Sequence, residues 1–160
     1  LTSVSEPPRN GEPLRSGFYL KSARILGTDD QGKRLYEIEA EYAEQQPNNE
    51  IQFDNVQIEY AVDSGIPWTL NADTAIIGKD RKRVRLSGHV IAVSNEGFGG
   101  QETEIRTPYL ELQPENFVAE TDERVQIRIG SRSLTATGML AMLENNRVQL
   151  KSNVSGKFVP

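Results

Sequence analysis

The chain has 160 residues, 36% of them hydrophobic and 26% charged, with a net charge of −5. This is one domain in length and enough chain to bury a core, without the basic surplus that general nucleic-acid binding needs. With no cysteine and a single histidine, His89, it can form no disulfide, thiol nucleophile or zinc site of the usual His/Cys type, so neither a metal nor a cofactor is expected.

Residues 1–17 carry Pro7, Pro8, Gly11, Pro13 and Gly17 among few large apolar residues. They read as a flexible linker, with the folded domain over 18–160 beginning at Phe18-Tyr19-Leu20. From there the sequence alternates polar and apolar. Glu37–Tyr42, Ile51–Phe53, Val56–Tyr60, Trp68–Ala72, Val84–Leu86, Tyr109–Leu112, Val125–Ile129 and Val148–Leu150 each place one face inward and one toward water. Turn residues separate them, as at Asp29–Gly32, Gln46–Asn49, Asp63–Gly65, Gly78–Asp80, Gln113–Asn116 and Glu144–Asn146. Gly138–Leu143 is too short to read as a helix. Short strands broken by regular turns predict an all-β sandwich, jelly roll or barrel.

A weak internal repeat runs through the strands. Its openers Ile51, Val84, Phe117 and Val148 are 33, 33 and 31 residues apart. The copies Arg83-Val84-Arg85-Leu86-Ser87-Gly88-His89-Val90 and Arg147-Val148-Gln149-Leu150-Lys151-Ser152-Asn153-Val154 match closely. A fixed period of hairpins predicts stacked β-units that bury a shared face.

These segments carry a resemblance. Phe18-Tyr19-Leu20, then Gly32, then Tyr36-x-Ile38-x-Ala40 looks like the start of the periplasmic domain of the LptC family of lipopolysaccharide-export proteins. Ile66-Pro67-Trp68-Thr69-Leu70-Asn71-Ala72-Asp73-x-Ala75, followed by Val84-x-Leu86-x-Gly88-His89-Val90, is the most specific segment. Leu134-x-Ala136 and Asn146-Arg147-Val148-x-Leu150 fit the family's last repeat. The resemblance spans about residues 17–158. It implies a twisted, boat-shaped β-jelly roll of antiparallel strands, open at both ends. It also implies a non-enzymatic carrier that takes lipopolysaccharide from the LptB2FG inner-membrane ABC transporter and passes it to the bridge protein LptA. The implied location is the periplasm, on a single-pass inner-membrane anchor preceding Leu1. An LptA-type bridge protein and a β-sandwich carbohydrate-binding or hydrolytic domain stay open as alternatives.

A lipid carrier needs an apolar interior, and burying one methylene gains about 0.8 kcal/mol. By strand parity the inward set is Ile38, Ala40, Ile51, Phe53, Val56, Ile58, Tyr60, Leu70, Ala72, Val84, Leu86, Leu110, Leu112, Leu134, Ala136, Val148 and Leu150. Aromatics make up only 7% of the chain, so this interior is expected to leave room. Open sheet edges suit strand addition by a partner. The resemblance implies that Phe18, Tyr19 and Leu20 mark the edge toward the transporter. It implies that Val148, Leu150, Val154 and Phe158 mark the edge toward LptA, and leaves self-association open. The basic run Lys79–Arg83 with Arg85 reads as a solvated turn or a contact for lipid phosphates. His89 and Gly97-Phe98-Gly99-Gly100 read as surface features, the latter as a flexible hairpin tip. Trp68 reads as a core or rim anchor. Glu37, Glu39, Glu41, Glu102 and Glu104 alternate along their strands and face solvent, and nothing singles out a catalytic pair among them.

Overall fold

The computed structural model describes residues 2–4, 19–60, 66–145 and 147–158. The strands are β1 (Thr2–Val4), β2 (Tyr19–Thr28), β3 (Arg34–Gln45), β4 (Ile51–Tyr60), β5 (Trp68–Ile77), β6 (Val84–Ser94), β7 (Thr103–Gln113), β8 (Val118–Ile129), β9 (Arg132–Met142) and β10 (Arg147–Phe158). They form one antiparallel sheet in strict sequence order, and β1 and β10 do not pair, so the sheet stays open. The expected linker contains β1, which pairs with Ile25–Gly27 of β2. Phe18, the rest of 5–17 and the turn at 63–65 lie outside the described residues, and Tyr19 and Phe158 are placed only as strand positions. The segment Gly138–Leu143 runs from the middle of β9 into its terminal turn.

Nearly every long strand is interrupted near its middle. The ladder shifts register at Asn71/Thr74, Ser87/Val90, Arg106/Glu111, Thr121/Arg124 and Ser152/Ser155. Ser22, Asn55, His89 and Asn153 take left-handed backbone along the same line, with φ of 54°, 54°, 46° and 51°; at Ser22 and Asn55 the ladder skips a pair without shifting register. Asn and His tolerate this conformation better than most L-residues do. At Gly88 (φ 80°) a Cβ would also lie 2.5 Å from the Asp73 carboxylate. Aligned across the sheet, these bulges make a crease that bends each strand and strengthens its twist.

Two apolar rows flank the crease. One runs Ile25, Ile38, Ile58, Leu70, Ala92, Ile105, Ile127, Leu134 and Gly156, register partner to register partner, across nine strands. The other runs Ile51, Ile77, Val84, Leu112, Ala119, Ala141 and Val148 across seven. Both belong to one core cluster, apart from Gly156 at the end of the first. Because the crease inserts residues, the inward parity changes within a strand, as from Ile51 and Phe53 to Val56 and Ile58 in β4. The period of about 33 residues is one strand up and one strand down. It returns the chain to the same row two strands further on.

The two halves meet face to face. Tyr60, at the far end of β4, donates its hydroxyl to the Pro114 carbonyl in the β7–β8 turn at 2.5 Å. Its ring lies 5.8 Å from that of Phe117. The sheet therefore folds along its crease into a trough whose opposed rims touch here.

Candidate functional site

The trough is built by alternation. Every long strand gives its inward residues to both walls, so its lining follows directly from the polar–apolar pattern. At about 4.8 Å per strand, nine long strands make it roughly 40 Å long, enough for acyl chains laid along or across it.

The residues expected inside are there. Ile38, Phe53, Ile58, Tyr60, Leu86 and Leu112 have 0% of their surface exposed, and Ala40, Ile51, Val56, Leu70, Ala72, Val84, Leu110 and Ala136 are buried with them. Leu134, Val148 and Leu150 are half-buried against the same core. Ile25, Tyr36, Ala43, Ala75, Ile77, Val90, Ala92, Ile105, Val125, Ile127, Met139 and Ala141, outside the inward set expected from parity, are buried too. Ala43, Ala75, Ile77, Ile105, Met139 and Ala141 lie in strand halves beyond the crease, where parity counted from the other half gives the wrong face.

The expected roominess is not what the rows show. Small residues such as Ala43, Ala75, Ala92 and Ala141, all at 0–3% exposure, let the walls approach, so the interior is filled by its own side chains. Space between the walls would come from separating them.

The Tyr60–Pro114 hydrogen bond clasps the two walls. Burial pushes the Tyr60 phenol above its ordinary pKa, so it stays a neutral donor. Beside it, a groove of about 570 Å³ opens between opposed rims. Its floor is Leu35, Tyr36 and Pro114, and its margin carries Asp29, Asp30, Asp80, Arg81, Lys82 and Glu115. The basic run thus sits at a mouth of the trough, though much of it is engaged. Arg81 donates to the Asn49 carbonyl at 3.0 Å, and Arg85 pairs with Glu50 at 2.7 Å.

At the opposite rim the Gly97–Gly100 segment is not a loose tip. It forms a short 3-10 turn at Phe98–Gly100, and the Phe98 ring is buried 5.5 Å from that of Trp68. A Cβ on Gly97 would come within 2.5 Å of Thr103 Oγ1 and 3.3 Å of the indole. The glycine is there for close packing, a signal available in the sequence as an aromatic residue set among glycines. Trp68 is 3% exposed, and its Nε1 is buried with no acceptor among the described residues.

The outer face is polar and paired. Arg24 donates to Glu37 at 2.9 Å, and the hydrogen bond holds that carboxyl below its usual range. Arg106 does the same for Glu104 at 2.5 Å, with Arg128 at 3.0 Å. His89 is exposed at the crease, 2.8 Å from Asp73. No group of three or more metal-ligating side chains occurs among the described residues.

The edges differ. Among the described residues β1 covers only Ile25–Gly27 of β2, leaving Tyr19–Arg24 without a further strand. β10 is the other edge. Val154 is 55% exposed, whereas Val148 and Leu150 point toward the core.

This open, folded sheet has a counterpart among solved structures. A structure described as LptH, the LptA homologous periplasmic component of the conserved lipopolysaccharide transport device from Pseudomonas aeruginosa, superposes with a TM-score of 0.63. It is 8% identical over 78% of this chain and 95% of its own, so the likeness is one of fold, an LptA-like jelly roll. No curated protein sequence matches. The family model described as lipopolysaccharide-assembly, LptC-related, matches residues 2–159, and the chain belongs to that family of lipopolysaccharide transport.

Proposed function

We propose that this chain is the lipopolysaccharide-passing component of the export machinery. It takes the lipid from the LptB2FG transporter at its N-terminal edge and delivers it to LptA at its C-terminal edge, with no chemistry on the lipid. The observation that supports this most is the pair of apolar rows facing each other within an unclosed sheet. A closed barrel would have no edge to continue into a partner, and a sandwich with alternating polar inner positions could not accept acyl chains. The inward residues from Ile38 to Leu150 named above would then be the acyl-chain surface. The edges at Phe18–Leu20 and at Val148, Leu150, Val154 and Phe158 would receive partner strands by main-chain hydrogen bonds. A periplasmic site for the domain, carried on an inner-membrane anchor, belongs to the same reading.

Photo-crosslinking to purified lipopolysaccharide tests it. A photoreactive residue at Leu134, inward and half-buried, is expected to give a lipid adduct, and one at Gln126, outward and exposed, is not. Equal adducts at both positions, or none at Leu134, would overturn the reading.

A further inference from the structure

A buried N–H without an acceptor is rare in folded proteins, and each instance calls for an explanation. Trp68 supplies one, at 3% exposure, on the inner face where β5 begins. The buried hydroxyls on the same rim are committed elsewhere. Ser94 donates to the Pro67 carbonyl at 2.7 Å, and Thr103 donates to the Gln101 carbonyl at 2.9 Å while accepting the Phe98 N–H at 3.0 Å. Trp68 also stands directly across the ladder from Tyr60, whose own hydroxyl is satisfied by Pro114. Those hydroxyls being committed, nothing on this rim calls for an indole donor, so a Phe at position 68 would serve packing equally well without leaving a polar atom unpaired.

From this we infer that the Trp68 indole N–H is a specificity-determining donor, which hydrogen-bonds a carbonyl oxygen at the head of an acyl chain (ester or amide) when the walls part around lipid. The inference rests on the carrier reading and adds a polar anchor to it. Apolar contact alone does not distinguish one acyl chain from another or fix its depth. A single buried donor places the first oxygen of the chain and leaves the methylenes to the rows.

Trp68 is the one tryptophan of the chain, so its indole gives a single ¹⁵N–¹H resonance. Purified lipopolysaccharide is expected to move that proton downfield, and n-decane, which has no acceptor, is not. W68F, still carrying the ring contact to Phe98, is expected to bind lipopolysaccharide about fivefold more weakly, the effect of one ordinary hydrogen bond. A resonance unmoved by bound lipopolysaccharide, or moved equally by decane, overturns the inference even if the variant does not fold. So does unchanged affinity in folded W68F. Failure of the wild-type domain to bind lipopolysaccharide would instead remove the carrier reading itself.

Discussion

The middle of the trough and its C-terminal end are made of the same repeat but packed differently. In β3 to β7 the inward side chains are sealed, with Ile38, Phe53, Ile58, Leu86 and Leu112 all at 0% exposure. Toward β10 the rows thin out, although Met139 and Ala141 of β9 are still sealed. One ends on Gly156 and the other on Val148, and Leu134, Val148 and Leu150 are only half-buried. An inward face needs a wall opposite it to be buried, and an edge strand has a neighbour on one side only. The same pattern therefore gives a core in the middle and an open, apolar-lined end at β10.

Substitutions sharpen this contrast. Phe53→Ala, in the sealed middle, is expected to cost about 3–5 kcal/mol in urea unfolding, and Leu150→Ala, at the open end, about 1 kcal/mol. Comparable losses at both would mean that the end is as tightly packed as the middle. The crease is the next test. Asn55→Val puts a β-branched residue at φ 54° and is expected to cost about 1–2 kcal/mol, whereas Asn55→Gly should be close to neutral. A neutral Val would show that the bend does not depend on left-handed residues.

Smaller effects probe the rims and the outer face. Tyr60→Phe removes the clasp donor but keeps the ring against Phe117, and is expected to lower stability by about 1 kcal/mol while speeding lipid uptake in a stopped-flow assay. Slower uptake would mean that the clasp is not a barrier to opening. On the outer face, the Glu104 carboxyl is held below its ordinary value of 4.5, first by the Arg106 hydrogen bond. A group depressed in the folded state contributes stability above its unfolded pKa and loses it as pH falls through the folded one. Glu104→Gln should therefore leave stability near pH 3 almost unchanged and lower it at neutral pH, by a few tenths of a kcal/mol for so exposed a pair. An equal loss at both pH values would point to packing instead.

The fold was largely legible because alternation fixes which face is buried, and the repeat fixes which strands share a row. Ile51, Val84 and Val148, three of the four expected openers, lie in one row, and the close match of Ser87-Gly88-His89-Val90 with Lys151-Ser152-Asn153-Val154 marks two of the bulges. Alternation could not reveal contacts between residues distant in sequence. Tyr60 meets Pro114 across 54 residues, and Phe98 reaches Trp68 because a glycine-flanked turn folds inward. Nor could it show how closely the walls approach, which depends on where alanines face one another once the crease has shifted parity.

In the proposed carrier, lipid lies between two walls that part to admit it. Because the chain has no cysteine, spin labels can be placed cleanly at Asp30→Cys and Glu115→Cys, on opposed rims of the 570 Å³ groove. Pulsed electron-spin distance measurement with and without purified lipopolysaccharide then reads the gap directly. A longer, broader distance distribution is expected once lipid is bound. An unchanged distribution with lipid demonstrably bound would contradict it.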